Sequence, residues 1–435
     1  MTKEKKKNVE EAVTKAISDL NTVNGYKNSG VVPYAVLILA LLENIVERRL
    51  GVEHLDAFLN IDRGLPLKGQ PINLNRADMM LLLDDVFQDS NVTRELSEAI
   101  TYLSTTKDID PDNPISIDLV SYDGEKLFNA IIKAMRLEDN LFASSSISEL
   151  AASILNVQDG ESFCDFTSGI GLSTACITRG KDDVDIDLVE ISIFNATLSV
   201  CLGFLCSKKN FHVEIGDGFA RTEKKYDKLF IDPPLKTRTD VPAEWYGIKT
   251  DDAVLLSVLK ATEVLSEKGR AIVMVPGSFL FGAMGAFPKV REYLVREGLV
   301  KGVVLLPSMW KATTIKTAMI VLEKNLGDVA MISIASDKDV KLFTTYDKLD
   351  RSKHLTKDAI RYITDRLNND FEADNNSCLV SRSTLEYHYY PFEPSFFIKQ
   401  VPKSNRTLSE IDADIESSIN EIDTLIEELK IKKEK

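Results

Sequence analysis

The sequence predicts an α/β protein built on a doubly wound parallel sheet, and three observations carry that prediction. Short β-prone runs at 161–166, 184–189, 211–215 and 228–231 follow one another, with helical patterning at 172–179 and from about Ser192. The first run ends in the glycine-rich turn Ser168-Gly169-Ile170-Gly171. The other three end at Glu190, at Gly216-Asp217-Gly218 and at Asp232-Pro233-Pro234-Leu235. Ligands of open α/β sheets bind beyond the carboxyl ends of the strands, so these residues are expected to share one functional rim.

Each rim element has its own chemistry. Glycine at 169 and 171 lets the chain turn tightly before a helix and lets a ligand approach the backbone. Thr174 stands where a dinucleotide fingerprint carries its third small residue, which argues against a dehydrogenase-like site. Asp165, just ahead of the turn, suits a cationic ligand bearing an amino acid better than a pyrophosphate, and S-adenosylmethionine is such a ligand. Glu190 lies about 20 residues past the glycines, where doubly wound folds place a ribose-binding carboxylate. Asp217 is positioned to accept from an adenine amino group. Locally, Glu190 also suits a helix cap and Asp217 an ordinary turn.

The paired prolines of Asp232-Pro233-Pro234 make a stiff strand exit whose carbonyls lack competing amide donors. With the Asp232 side chain, such a turn can hold an exocyclic amine for in-line attack on a methyl group. Alone it is only a rigid loop; downstream of the glycine turn it points to methyl transfer.

These motifs in this order resemble the adenine-N6 DNA methyltransferases, and most closely the modification (M) subunit of type I restriction-modification systems. The family's Asp-Pro-x-x-Gly-x-Gly loop is similar to Asp165-Phe166-Thr167-Ser168-Gly169-Ile170-Gly171, and its Asn/Asp-Pro-Pro-aromatic motif to Asp232-Pro233-Pro234-Leu235. The later runs 265–276, 303–310 and 316–324 resemble the family's post-catalytic strands, so the likeness spans roughly 140–325. It implies a Rossmann-like S-adenosylmethionine-dependent fold. Asp165, Thr167, Gly169, Gly171, Glu190 and Asp217 would hold the cofactor, and Asp232, Pro233, Pro234 and Leu235 the flipped adenine.

Three departures stand out. Phe166 replaces a proline, and Asp232 stands where type I subunits usually carry asparagine. Leu235 replaces the aromatic that stacks on the extruded base, a contact worth on the order of 1–3 kcal/mol. Trp310, after Leu306-Pro307, is the candidate for a substitute wall. The alternatives are an impaired homologue serving cofactor binding or assembly, and a methyltransferase acting on a glutamine side chain or an RNA base.

The 435 residues exceed one ordinary core. The expected organisation is a helical N-terminal domain over 1–135, a catalytic domain over 136–328, a mixed extension over 329–403 and a coiled-coil helix over 404–435. Leu408, Ile415, Ile422 and Leu429 recur every seven residues, with Ile411 and Leu425 in the complementary row, which suits pairing with partner helices. Five cysteines without a Cys-x-x-Cys pair, and four scattered histidines, suggest free thiols in a reducing compartment and no metal site. The lysine-rich N-terminus does not read as a signal peptide, and the apolar stretch at 31–46 is too short and polar to span a bilayer. Cytoplasmic placement is expected.

A net charge of −14 is unusual for a chain that grips DNA unaided. DNA contact is therefore expected to depend on a specificity (S) subunit, bound through the helical regions and the coiled coil, or on local basic residues such as Lys236 and Arg238. The resemblance leaves room for a restriction (R) subunit.

Overall fold

The computed structural model describes residues 124–134, 145–206, 208, 210–235, 237–309, 315–346, 353–368 and 371–398. The expected N-terminal domain up to 123, the 31–46 stretch, the 404–435 heptads, Lys236 and Trp310 lie outside them.

Helices α1 (Gly124–Ala134) and α2 (Ser145–Leu155) precede β1 (Ser162–Asp165), α3 (Leu172–Ile177), β2 (Asp185–Glu190), α4 (Ile193–Leu205), β3 (Asn210–Ile215) and β4 (Tyr226–Ile231). A hairpin of β5 (Arg238–Trp245) and β6 (Ile248–Asp252) leads into α5 (Ala253–Val264) and β7 (Leu265–Pro276). There follow α6 (Ser278–Phe281), α7 (Phe287–Arg296), β8 (Val300–Leu305), β9 (Thr317–Leu322), β10 (Val329–Ser333) and α8 (Asp337–Phe343). A small pair, β11 (Thr344–Tyr346) and β12 (Lys353–Leu355), then α9 (Lys357–Asn368) and β13 (Ser377–Val380), complete the elements that position the site.

Nine strands form one sheet in the order β13-β10-β8-β9-β7-β4-β1-β2-β3. Pairing is parallel from β3 to β7, and β9 runs antiparallel to both β7 and β8. β10 returns to parallel beside β8, and β13 closes the edge antiparallel. The mixed α/β architecture with a mostly parallel sheet is the predicted one. The sheet does not stop at 328, however: the segment expected as a separate extension supplies β10 and β13. Val329-Ala-Met-Ile-Ser333 is an apolar run buried over its first four residues, so it belongs in the sheet on burial grounds alone.

The central strands are apolar on both faces, as parallel strands covered by helices must be. Ala271, Val273 and Val275 of β7 join the core beneath α5 and α7, with Val254, Leu255, Val258, Leu259, Val290 and Leu294. Ile272 and Met274 of the same strand join the opposite core, with Ile147, Leu150 and Ile154 of α2 and Ile363 and Leu367 of α9. The period-two alternation along one strand thus feeds two separate layers.

Chain order reverses between β1 and β4: β2 and β3 lie on one side, β7 and β9 on the other. Side by side at that point, β1 ends at Asp165 and β4 ends just before Asp232. Such a switch point is where an open α/β sheet leaves a crevice.

Arg291 on α7 ties the rim beyond β7 to the body. It is buried, and its guanidinium donates to the carbonyls of Phe279 (2.7 Å), Gly282 (2.8 Å) and Tyr390 (2.9 Å). Burial without a carboxylate partner pulls its pKa down to about 10. Arg291→Met would leave three carbonyls without that donor, at a cost of about 3 kcal/mol. Urea denaturation is expected to show that loss, and Arg291→Lys, lacking the planar fork, should recover less than half of it.

Candidate active site

The site begins with the turn after β1. Gly169 (φ 56°) and Gly171 (φ 80°) both have left-handed backbone, and a Cβ on Gly169 would find no atom within 4 Å, so the loop opens onto free space. The Gly169 amide donates to Glu190 Oε2 at 2.9 Å, and its carbonyl accepts from Ser199 Oγ at 2.9 Å. Ser168 N donates to the Val189 carbonyl at 3.2 Å. The tips of β1 and β2 are therefore laced together.

Glu190 has a second bond, accepting from Ser192 N at 2.8 Å at the start of α4. The capping role and the rim position occur together, since each carboxylate oxygen retains a further lone pair for a ligand hydroxyl. Asp217 behaves in the same way. One of its oxygens accepts from Phe219 N at 2.9 Å, closing a turn, and the carboxylate keeps further acceptor capacity on its other oxygen. Thr167 contributes its amide and hydroxyl to Asp165 Oδ1, at 2.9 and 3.2 Å.

The loops after β1 and β3 pack without clearance. A Cβ on Gly218 would lie 1.9 Å from the Phe166 carbonyl oxygen, so only glycine fits at 218. The Phe166 and Phe219 rings meet edge to face at 6.3 Å.

Across the switch point stands Asp232. It is half-buried, Pro233 is buried, and Pro234 is exposed. Burial pushes the Asp232 carboxyl up to about 7. Asp165 is fully buried, and its carboxyl rises to about 8: burial is the first cause, opposed by the Thr167 hydrogen bonds and reinforced by the charges of Asp232 and Glu190. Among the described residues none of these three carboxylates ion-pairs with a cation. A crevice that gathers acids with no internal countercharge suits a cationic ligand, whose arrival would favour the ionised forms. The open glycine loop and this donor set fit the amino acid and sulfonium of S-adenosylmethionine.

Leu235 is turned to the protein. It is half-buried and packs against the core beneath α5. Arg238 is held bidentately by Asp251 at 2.7 and 2.9 Å, so the basic residue expected to reach nucleic acid already has a partner.

The β5–β6 hairpin was not foreseen from the sequence. It follows the Pro-Pro turn and is anchored by Trp245, buried, whose Nε1 donates to Glu263 Oε2 on α5 at 2.8 Å. Its tip is Tyr246-Gly247, with φ 53° and 73°, and Tyr246 stacks on Tyr293 at 4.5 Å. An X-Gly pair between two aromatic-flanked runs was the available signal; Pro242 inside the first run disguised it. No group of His, Cys, Asp and Glu among the described residues is arranged to hold a metal ion, and no helix among them is long and apolar enough to cross a membrane.

The raised carboxyls have a stability consequence. Both pKa values exceed the ordinary 3.8, so the folded protein holds protons that the unfolded chain releases. Stability is then expected to fall as pH rises through the window from about 4 to about 8, and to level off above it. Urea midpoints measured from pH 5 to 9 should show this decline, and Asp165→Asn should flatten much of it and stabilise the protein at pH 9. A wild-type midpoint that rises with pH over that range would contradict the assignment.

Comparison with known proteins agrees with this fold. No curated protein matches the sequence. The methyltransferase subunit of a type I restriction-modification system from Streptococcus thermophilus has a similar fold, with 15% identity over 90% of this chain and 99% of that one (TM-score 0.65). A chain from a type I restriction-modification assembly matches with 14% identity over 98% of each chain (TM-score 0.61). The M protein of the type I restriction enzyme EcoKI matches with 13% identity over 97% and 96% (TM-score 0.50). Residues 132–405, most of the chain, match the model of one family, so the protein belongs to the N-6 DNA methylases.

Proposed function

We propose that this protein transfers a methyl group from S-adenosylmethionine to the N6 amine of a flipped adenine in DNA, as the modification subunit of a type I restriction-modification-like system. The observation that carries the reading is the pair Asp165 and Asp232. They occupy adjoining strand tips at the switch point, with no ion-pairing cation among the described residues, one beside an open glycine loop and the other opening a Pro-Pro turn.

Bound at the glycine loop, S-adenosylmethionine supplies an electrophilic methyl group. In this reading Asp165 and Thr167 receive its amino-acid end, Gly169 and Gly171 allow close approach, Glu190 binds the ribose hydroxyls, and Asp217 accepts from the adenine ring's amine. On the acceptor side, the ionised Asp232 carboxylate and the Pro233 carbonyl accept hydrogen bonds from the two N–H groups of the target amine. Those bonds orient the nitrogen lone pair along the line of attack. Transfer would form the N–CH3 bond as the S–CH3 bond breaks, and the Asp232 carboxylate would be placed to take the amine proton released.

The target strand and its sequence would be chosen by a specificity subunit, consistent with a net charge of −14. In sequence, the 408–429 heptad pattern suits pairing with that partner, Trp310 is the candidate wall for the extruded base, and a restriction subunit would join the same assembly. One observation favours a second reading, an impaired homologue kept for cofactor binding or assembly: Leu235 packs into the core where an aromatic would stack on the base.

The test is N6-methyladenine formation by the chain co-expressed with its specificity subunit. Asp232→Ala is expected to lower the rate at least about a hundredfold, and Leu235→Tyr to raise it about tenfold. Full product from Asp232→Ala overturns the acceptor role, whereas an inert wild type that Leu235→Tyr leaves inert favours the second reading.

A further inference from the structure

Helix α5 carries a buried lysine that a solvent-facing role does not explain. Lys260 is only 5% exposed, and its Nζ donates to the carbonyl of Ala220, in the loop that follows Asp217. The same ammonium lies 5.2 Å from the centre of the Phe166 ring, in the loop that follows Asp165. One cation thus touches both loops that flank the glycine turn.

These loops already press against each other, through the Gly218–Phe166 backbone contact and the Phe166–Phe219 ring pair. Phe166 stands where the resembled family carries proline. Proline stiffens such a loop through its own fixed φ, whereas phenylalanine has no such restraint and must be held from outside. Here the ring is buried and faces a desolvated cation, a contact stronger than the same pair in water.

One turn further along α5, Glu263 adds a second hold. It accepts from Arg221 and from Trp245 Nε1, while its carbonyl accepts from Lys225. The Arg221 guanidinium also covers the Trp245 ring at 4.0 Å. One face of α5 therefore grips the 217–225 segment and, through Trp245, the hairpin that follows the Pro-Pro turn.

We propose that Lys260 is a positioning residue for S-adenosylmethionine: by bridging the Ala220 carbonyl and the Phe166 ring, it fixes the spacing of the two cofactor loops and takes over the stiffening that proline supplies elsewhere. The proposal rests on the cofactor reading above. It assigns Lys260 no contact with the reacting atoms.

The experiment is calorimetric titration of S-adenosylmethionine into the full chain, with its specificity subunit where solubility requires it, below the melting temperature of every variant. Lys260→Met keeps the length and loses the cation, leaving the Ala220 carbonyl unpartnered, and Kd is expected to rise about tenfold. Lys260→Arg, which restores both contacts, should bind within about threefold of the unchanged protein. Phe166→Leu removes only the ring and should weaken binding several-fold; combined with Lys260→Met it should add little, because both act through one contact.

A Lys260→Met variant that binds as tightly as the unchanged protein overturns the proposal, as does a Lys260→Arg variant as weak as Lys260→Met. If Lys260→Met does not fold, Phe166→Leu and Lys260→Arg decide: undiminished affinity in Phe166→Leu, or strongly weakened affinity in Lys260→Arg, overturns it. An unchanged protein that takes up none of the ligand overturns the cofactor reading itself, a result separate from any difference among variants.

Discussion

Desolvation of two carboxyl groups, Asp165 and Asp232, at adjoining strand tips is the constraint around which this site is arranged. Burial makes the charges of Asp165 and Asp232 costly, Glu190 adds its charge beside Asp165, and the folded chain supplies no counterion among the described residues. A sheet built for stability alone would place an arginine or lysine there. Lys260, the nearby buried cation, is instead directed at a carbonyl and an aromatic face. The unmet demand for positive charge is left to a ligand.

The layers on either side make that arrangement tolerable. Strands β4 and β7 are buried on both faces, so the rim is carried by a rigid double core. The cofactor side is held by backbone and side-chain bonds among Gly169, Glu190, Ser192 and Ser199. The acceptor side is held by prolines and by a hairpin pinned through Trp245. Two stiff halves at neighbouring strand tips are the kind of pre-organisation that the proposed transfer would need.

Membership of the N-6 DNA methylases and the similarity to type I subunits define the setting, while Phe166 and Leu235 distinguish this chain within it. Each departure has a physical consequence. The Phe166 ring is absorbed into a buried contact with Lys260 and Phe219. Leu235 is half-buried and packs against the core beneath α5, and its aliphatic side chain has no aromatic face to stack on a base. The first change is met by contacts within the protein, whereas the second removes an aromatic face that the proposed base contact would use.

Much of the sheet was legible in the sequence: burial on two faces leaves apolar runs such as Ala271 to Val275, while the full extent of β7, with its polar start at 266–268, was legible through the resemblance. The rim was legible as well, since glycines and prolines act through local backbone geometry that neighbours hardly alter. Contacts between elements remote in sequence were not legible. Glu190 serving both loop and helix, Leu235 turning inward, Arg238 being claimed by Asp251, and β10 and β13 extending the sheet past 328 all depend on what the fold brings alongside. By itself the sequence determined the first four strands, the turn chemistry and the order of the motifs, because those follow from local conformational preference and periodicity. Only the tertiary structure decided which charges share a crevice and which side chains are already occupied, because pairing and desolvation are set by distances that no linear spacing contains.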